Sequence, residues 1–290
     1  MGSHEQAKAT NVRATLTSGL PRYPVFIVGS ARSGTSILVD AMVAAGYRGF
    51  REGNFLSLLA NLDSAVERHL KIFQNGNPKV LASNVSKDRL KEELFGVLHR
   101  ITMELNPEPP WFDKTGGSEM ISAIPALRKF WPESVFVFAK RRGIENVLSR
   151  MQKFPSLTFQ QHCIAWANNM SAWRKLRQLL PRDVAIEIDQ QSILQRPEAV
   201  AQRLVSFLMV QPDKEKRLVR TFEAKRPQQS ADGTAARISS LQTTGWSESE
   251  ISMFLDFCKT EMDAFGYSFD ESYSLGFGCV LTDDASVNEI

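Results

Sequence analysis

The segment Val25–Ser36 constrains the fold more than any other part of the chain. Four apolar residues, Val25–Val28, are typical of a buried strand, and a glycine-containing turn, Gly29–Gly34, follows them. The next residues have the pattern of a helix that ends near Gly46. A strand, a glycine loop and a helix N-terminus in this order can bind phosphate, because the backbone N–H groups and the helix dipole attract an anion. We therefore predict an anion site in this loop.

The loop has the Gly-x-x-x-x-Gly spacing of nucleotide-triphosphate P-loops, but its next residue does not fit such a site. Thr35 follows Gly34, where a triphosphate P-loop has a Lys for the β- and γ-phosphates. The strongest later strand pattern, Val135–Ala139, runs into the basic residues 140–142 instead of a magnesium-binding carboxylate. Ligands of parallel sheets bind beyond the carboxyl ends of the strands. We therefore expect a ligand that carries at least two anionic groups and needs no metal.

The order of the predicted elements favours an α/β fold. Strand patterns alternate with helix patterns, which predicts a central parallel sheet with helices on both faces, in a three-layer arrangement like that of P-loop proteins. Helices are predicted at about 35–45, 55–73, 87–105, 118–130, 143–149, 159–180, 197–208 and 247–265. We expect one domain over residues 21–266, after a flexible segment at 1–20 and before a tail at 267–290.

Composition and charge argue against several other classes of protein. The formal net charge of +3 is too small to indicate nucleic-acid binding. Cys163, Cys258 and Cys279 lie far apart without metal-ligand spacing, which suits a reducing compartment. No apolar run is as long as a membrane span, and the N-terminal region lacks the apolar core of a signal peptide. We expect a cytoplasmic protein; a lumenal domain trimmed of its anchor is the alternative.

Two of these segments together resemble the sulfotransferases that use 3′-phosphoadenosine 5′-phosphosulfate (PAPS). The stretch Gly29–Ser36 is similar to the 5′-phosphosulfate loop of that family. The stretch Phe138–Arg150 is similar to its 3′-phosphate motif, in which a strand-end Arg is followed eight residues later by a Ser; Arg141 and Ser149 have this spacing. Either motif alone occurs by chance, whereas both in this order, each after a predicted strand, form a specific signal.

The resemblance covers about residues 24–265. It is closer to the bacterial, carbohydrate and tyrosylprotein branches than to the steroid and phenol branch, which usually has Lys at the position of Arg32. It implies PAPS as the donor and 3′-phosphoadenosine 5′-phosphate (PAP) as the product, without a metal. The acceptor would be a small molecule or glycan with a free hydroxyl. The donor-binding residues implied are Arg32, Ser33, Gly34, Thr35, Ser36, Arg141 and Ser149, and Arg142 is the neighbouring alternative to Arg141.

The resemblance also implies catalytic roles for Glu52, Arg32 and Lys114. Glu52 lies in a predicted turn 20 residues after Arg32, about where the carbohydrate and tyrosylprotein branches have a Glu that acts as the base. Arg32 and Lys114 would stabilise the charge that develops on the leaving phosphate. Alternatively, Glu52 is solvated or paired with Arg51, and Lys114 is an ordinary loop residue. His162 is the other candidate for the base.

In two places the sequence departs from the family pattern. Many members have a Tyr followed by an acidic residue where this chain has Ile188–Asp189, so the adenine contacts are not assigned. A late cofactor loop is expected within residues 226–245, with Arg226 and Arg237 as candidates. A pocket for the acceptor could be lined by large aromatic residues that could equally pack in the core: Phe50, Phe55, Trp111, Phe159 and Trp166.

Two other functions compete with sulfuryl transfer at this stage. One is an atypical P-loop kinase, which magnesium-dependent ATP binding would support. The other is a non-catalytic module that binds adenosine bisphosphate, which binding without turnover would support. Thr35 and the basic run at 140–142 argue against the kinase, and the presence of both Glu52 and Lys114 argues against the binding module.

Overall fold

The computed structural model describes residues 21–106, 108–224 and 238–273. At its centre lies a parallel sheet of five strands in the order β2-β3-β1-β4-β5. The strands are β1 (Val25–Gly29), β2 (Arg48–Phe50), β3 (Trp111–Lys114), β4 (Val135–Lys140) and β5 (Ala185–Asp189). The parallel sheet predicted from the sequence is therefore confirmed.

Ten α-helices surround the sheet within the described part of the chain. They are α1 (Thr35–Ala45), α2 (Leu58–Phe73), α3 (Lys87–Leu105), α4 (Ser118–Phe130), α5 (Gly143–Lys153), α6 (Phe159–Arg177), α7 (Gln190–Gln195), α8 (Pro197–Leu208), α9 (Glu215–Glu223) and α10 (Glu248–Ala264). None of these helices is long and apolar enough to cross a membrane.

The two faces of the sheet are buried in two separate hydrophobic cores. Phe26 and Phe136 point to the core that contains α4, α6 and α10. Their neighbours Ile27 and Val137 point to the other core, which contains α1, α8 and α9. Successive side chains of a strand point to opposite faces, so a strand covered on both sides needs an unbroken apolar run. The observed layers are those of the predicted three-layer fold.

The alignment of the strands brings their carboxyl ends to one edge. Residues of β1 pair with those of β4 from Val25–Val135 to Gly29–Ala139, and Ile27 pairs with Lys114 of β3. The loop after β1, the end of β3 and the turn after β4 therefore lie next to one another. Ligands of open α/β sheets bind at this edge.

Several boundaries differ from the sequence-based expectation. The strand β2 was not predicted, because its three residues are exposed and carry no apolar run. Helix α5 continues four residues past Ser149, which brings Arg150 and Lys153 into regular helix. Pro125 lies inside α4 without ending it. Residues 1–20 and 274–290, together with the candidates Arg226 and Arg237, lie outside the described residues.

Candidate active site

The loop between β1 and α1 presents backbone donors at the start of a helix. Gly34 occupies the N-cap of α1 with a φ of 87°, and no side chain caps the first N–H groups. This left-handed conformation favours glycine. Ser30 and Ser33 are buried, and the N–H of Ser33 donates to the carbonyl oxygen of Ser30 at 3.2 Å. The uncapped N–H groups of the first helical turn are the ones an anion can bind.

A buried asparagine that the sequence analysis missed holds this loop in place. The side-chain amide of Asn146, on α5, donates to the carbonyl oxygen of Ala31 at 2.9 Å and to Oγ of Ser33 at 3.0 Å. Asn146 is completely buried. Its partners lie more than a hundred residues away in the sequence, so no local pattern could have revealed this contact.

Arg32 and Ser149 are in direct contact across the edge of the sheet. Nε of Arg32 donates to Oγ of Ser149 at 3.0 Å. Arg32 has a φ of 71°, a left-handed conformation that is uncommon for residues other than glycine and that concentrates at functional sites. The sequence-based interpretation placed these two residues at opposite ends of the donor. In the structure the hydroxyl of Ser149 accepts a hydrogen bond from the guanidinium of Arg32, so the two residues lie side by side.

The basic run after β4 divides into two structural residues and one that faces the loop. Lys140 pairs with Glu187 at 2.8 Å. Arg142 is completely buried, and its Nε donates to Glu145 at 2.8 Å. Arg141 has no carboxylate partner among the described residues; its guanidinium donates to the carbonyl oxygen of Arg32 at 3.2 Å. The structure thus favours Arg141 over Arg142 as the anion-binding residue.

These groups fit a ligand that carries anionic groups. Nε of Arg141 is buried without a hydrogen-bond partner, and burial lowers the pKa of this guanidinium. An anion would supply the missing acceptor and offset the cost of the buried charge. Asp189, in contrast, is not free to bind a ligand, because it accepts hydrogen bonds from the buried hydroxyls of Tyr267 and Tyr273.

Glu52 and Lys114 form an ion pair at the same edge. Nζ of Lys114, at the end of β3, contacts Oε1 of Glu52, in the turn after β2. The Glu52 side chain is 62% exposed, whereas that of Lys114 is 9% exposed. The alternative pairing of Glu52 with Arg51 does not occur, because Arg51 pairs with Asp40 at 2.6 Å. The two predicted catalytic residues therefore lie together although 62 positions separate them.

The turn that carries Glu52 is clamped to the end of β3. The N–H of Gly53 donates to the carbonyl oxygen of Lys114 at 2.9 Å, and the N–H of Asn54 donates to Oγ1 of Thr115 at 2.9 Å. Thr115 in turn donates to Asp113 at 2.8 Å. Burial raises the pKa of Asp113 to about 6, against the lowering effects of the Thr115 hydrogen bond and the charge of Lys114.

A cavity of about 770 Å³ joins these groups. Arg32, Thr35 and Ser36 line it from the loop and α1, and Glu52 and Lys114 line it from the ends of β2 and β3. The ends of α5 and α6 add a further wall that contains Arg150, Lys153, Phe154 and Asn169. The arrangement offers two carboxylates (Glu52 and Glu119), four cations (Arg32, Lys114, Arg150 and Lys153) and helix N–H groups to one open cavity. Sequence reasoning missed the wall on α5 and α6, because Arg150 has no motif of its own.

The other candidate residues named in the sequence analysis lie, where the structure describes them, outside the lining of the cavity. His162 is 1% exposed and does not line the cavity. Trp111 and Trp166 belong to the hydrophobic core, and Phe50, Phe55 and Phe159 do not line the cavity either. Within residues 21–106, 108–224 and 238–273, no group of three or more His, Cys, Asp or Glu residues could hold a metal ion.

Comparisons with known proteins give the family and the fold of this chain. A family model described as "Sulfotransferase family" matches residues 24–214, about two thirds of the chain. The sulfotransferase STF9 from Mycobacterium avium has 12% sequence identity and a TM-score of 0.53, over 87% of this chain and 79% of that protein. This likeness supports the fold alone. A comparison with curated protein sequences finds no match.

Two further solved structures have lower TM-scores. The sulfotransferase domain of the Synechococcus PCC 7002 olefin synthase has 14% identity and a TM-score of 0.48, over 86% of this chain and 96% of that domain. The sulfotransferase domain from the curacin biosynthetic pathway has 17% identity and a TM-score of 0.43, over 72% of this chain and 80% of that domain.

Proposed function

This chain belongs to the sulfotransferase family and is a sulfotransferase, and we propose that it transfers the sulfuryl group of PAPS to a hydroxyl of a small-molecule or glycan acceptor. One observation carries the proposal. The phosphate-binding loop and the Glu52–Lys114 pair line the same cavity, although they come from three different strand ends. A donor held by the loop would therefore meet an acceptor beside a carboxylate.

The residues that would hold the donor surround the ends of β1 and β4. The N-terminus of α1 would bind the 5′-phosphate through the N–H groups of Thr35 and Ser36, with the hydroxyl of Ser33 beside them. Arg141 would bind the 3′-phosphate, since its buried Nε lacks an acceptor. Ser149 would add its hydroxyl and keep Arg32 oriented, as the 3.0 Å contact supports.

Three side chains would carry the chemistry. PAPS, when bound, supplies a sulfuryl group whose leaving group is a phosphate. Glu52 would accept the proton of the acceptor hydroxyl while the acceptor oxygen forms its bond to sulfur and the bond from sulfur to the phosphate oxygen breaks. Arg32 and Lys114 would stabilise the negative charge that grows on the leaving phosphate. Glu52 is exposed enough that the acceptor itself must shield it from water.

The direct test is a comparison of PAP binding and turnover in Glu52→Gln. We expect calorimetry to give an affinity for PAP within about threefold of the wild type, because Glu52 is not assigned to the donor site. Turnover with labelled PAPS should fall by about 10²–10⁴-fold, the usual contribution of a general base. The acceptor for this assay would come from a screen of sugar, lipid and polyketide hydroxyls.

Glu119→Gln is a suitable control, since Glu119 is another carboxylate of the same cavity and loses the same charge. We expect a much smaller change in its turnover. Full turnover in Glu52→Gln would assign the base to another residue. A wild-type chain that does not bind PAP would refute the proposal, and PAP binding without transfer to any acceptor would favour a binding module.

A further inference from the structure

The wall of the cavity formed by α5 and α6 contains a buried arginine without an acidic partner. Arg150 is 7% exposed, and its Nε is buried without a hydrogen-bond partner. No carboxylate within residues 21–106, 108–224 and 238–273 pairs with it. Its guanidinium lies beside the ring of Phe154, whose centre is 5.5 Å from Cζ. A positive charge therefore lines the wall of the cavity without an acidic partner among the described residues.

Such an arrangement is unfavourable for the folded chain by itself. A buried charge is costly unless it is paired and hydrogen-bonded. The other deeply buried arginine, Arg142, follows this rule through its ion pair with Glu145 at 2.5 Å. Burial lowers the pKa of Arg150, and the charge of Arg150 adds to burial in lowering the pKa of the neighbouring His162. Arg150 thus lacks the compensation that Arg142 has.

The surroundings of Arg150 in the cavity are suited to a polar, anionic group. Lys153 lies one helical turn further along α5 and lines the same space. Asn169 on α6 also lines it and is 6% exposed. Its buried Oδ1 has no donor among the described residues, so it could accept a hydrogen bond from a hydroxyl of the same ligand. The cavity thus has unsatisfied polar atoms on the α5–α6 wall in addition to those at the loop.

Arg150 is distinct from the residues assigned to the donor. Its neighbour Ser149 contacts Arg32 and does not line the cavity. Consecutive residues of an α-helix point about 100° apart, so Ser149 and Arg150 face different directions. Arg141 likewise does not line the cavity. The donor residues Arg32, Thr35 and Ser36 line the cavity from the loop and α1, whereas Arg150 lines it from α5. The two walls can therefore contact different parts of the bound reactants.

We propose that the acceptor of this sulfotransferase carries an anionic group, a carboxylate or a phosphate, that binds Arg150 while its hydroxyl lies at Glu52. This inference rests on the function proposed above. The anion would accept hydrogen bonds from Nε and a terminal nitrogen of the guanidinium, a geometry that suits carboxylates and phosphates. Lys153 would add a second positive charge. Neutral hydroxyl compounds would leave Arg150 unpaired and would bind more weakly.

Anion binding can be tested without knowing the natural acceptor. In the full chain saturated with PAP, the Nε–Hε resonance of Arg150 would be assigned by its absence from the NMR spectrum of Arg150→Gln. Two matched pairs of probes would then be titrated: 3-hydroxybutyrate against its methyl ester, and glycerol 3-phosphate against glycerol. We expect a saturable shift with at least one acid and none with its neutral counterpart, and the responding acid identifies the anion. No shift with either acid, or equal shifts with the neutral probes, would overturn the proposal.

Measurements of thermal stability and of PAP binding distinguish an acceptor-binding role of Arg150 from a structural role and from a role in the donor site. Because Arg150 is unpaired, Arg150→Met should have a thermal midpoint equal to or above that of the wild type; a drop of more than about 5 °C would make Arg150 a structural residue. PAP affinity should stay within about threefold in Arg150→Gln and in the surface control Arg203→Gln. A tenfold weaker PAP affinity in Arg150→Gln alone would place Arg150 in the donor site and overturn the proposal.

The kinetic constants of the Arg150 variants with acidic and neutral acceptors give a further test. For an acidic acceptor, Arg150→Gln should raise KM by about 10- to 100-fold, with a smaller change in kcat, and Arg150→Lys should recover part of the loss. Equal losses for acids and their neutral counterparts would contradict an anion subsite. If the wild-type chain bound no PAP but its Arg150 resonance still responded to the acids, the proposed function would fail while the anion subsite would stand.

Discussion

At the scale of single residues, the two adjacent arginines after β4 differ in their hydrogen-bond partners. Arg142 is completely buried; besides its pair with Glu145, it donates to the carbonyl oxygens of Ser239 and Asp270 at 2.5 and 2.6 Å. It therefore ties the segment before α10 and the segment after it to the end of β4. Among the described residues, Arg141 makes a single hydrogen bond to the loop, and its buried Nε has no partner. One residue stabilises the fold, and the other is available for an anion.

Substitution of the two arginines should separate these roles. We expect Arg141→Gln to weaken PAP binding by about 10- to 100-fold, the value of one or two charge-assisted hydrogen bonds, with little change in the free energy of unfolding. Arg142→Gln should lower the free energy of unfolding by about 3–5 kcal/mol, because it leaves Glu145 as a buried unpaired charge. Calorimetry with PAP and urea denaturation measure the two effects. The reverse pattern would exchange the assignments of Arg141 and Arg142.

At the scale of elements, the site depends on the close approach of β1 and β4 where both strands end. Gly29 has a φ of 142°, and a Cβ atom at this position would overlap the carbonyl oxygen of Ala139. Gly29 is also the first residue of the Gly-x-x-x-x-Gly loop. The first glycine of the loop is thus required by the packing of two strands, in addition to the turn that follows it.

A substitution at Gly29 should damage both the sheet and the donor site. We expect Gly29→Ala to lower the free energy of unfolding by about 2–5 kcal/mol, from overpacking and backbone strain, and to weaken PAP binding. Gly76→Ala is a matched control, because Gly76 has a φ of 78° but no atom within 4 Å of the added Cβ. That variant should lose only about 1 kcal/mol, with unchanged PAP affinity. Equal losses would mean that conformation alone, and not the contact with β4, requires Gly29.

For the whole molecule, the buried carboxyl group of Asp113 near the end of β3 makes the free energy of unfolding depend on pH. Asp113 is buried, and its pKa of about 6 in the folded chain lies above the ordinary value of 3.8. The folded state therefore holds this proton more tightly than the unfolded state does. This proton contributes at most about 3 kcal/mol to the free energy of unfolding. The contribution is complete below about pH 4 and is lost as the pH rises through 6.

Asp113→Asn should remove this dependence. The free energy of unfolding of the variant, relative to that of the wild type, should rise between pH 4 and pH 7 by up to about 3 kcal/mol. Urea denaturation over this pH range measures the difference, and Asp256→Asn, at an exposed position of α10, controls for the loss of a charge. A difference that falls or stays constant with pH would show that Asp113 does not hold its proton in the folded chain.

Much of the architecture could be predicted because its signals are local. The apolar run of β4, the glycine loop and the proline at the start of α8 each act within a few residues, and the structure confirms all three elements. The short strand β2 escaped detection because it is exposed and lacks an apolar pattern. The continuation of α5 beyond Ser149 was also missed, although it determines where Arg150 lies.

The sequence by itself determined that this chain forms a parallel α/β sheet, and it predicted an anion-binding loop unsuited to triphosphates. It also identified five of the residues that line one cavity: Arg32, Thr35, Ser36, Glu52 and Lys114. Tertiary structure alone decided which of the predicted residues are free and which are paired: Arg141 and not Arg142, Glu52 with Lys114 and not with Arg51. It also revealed Arg150. Strand and turn preferences act between neighbours in the chain, whereas burial and charge pairing depend on residues that only folding brings together.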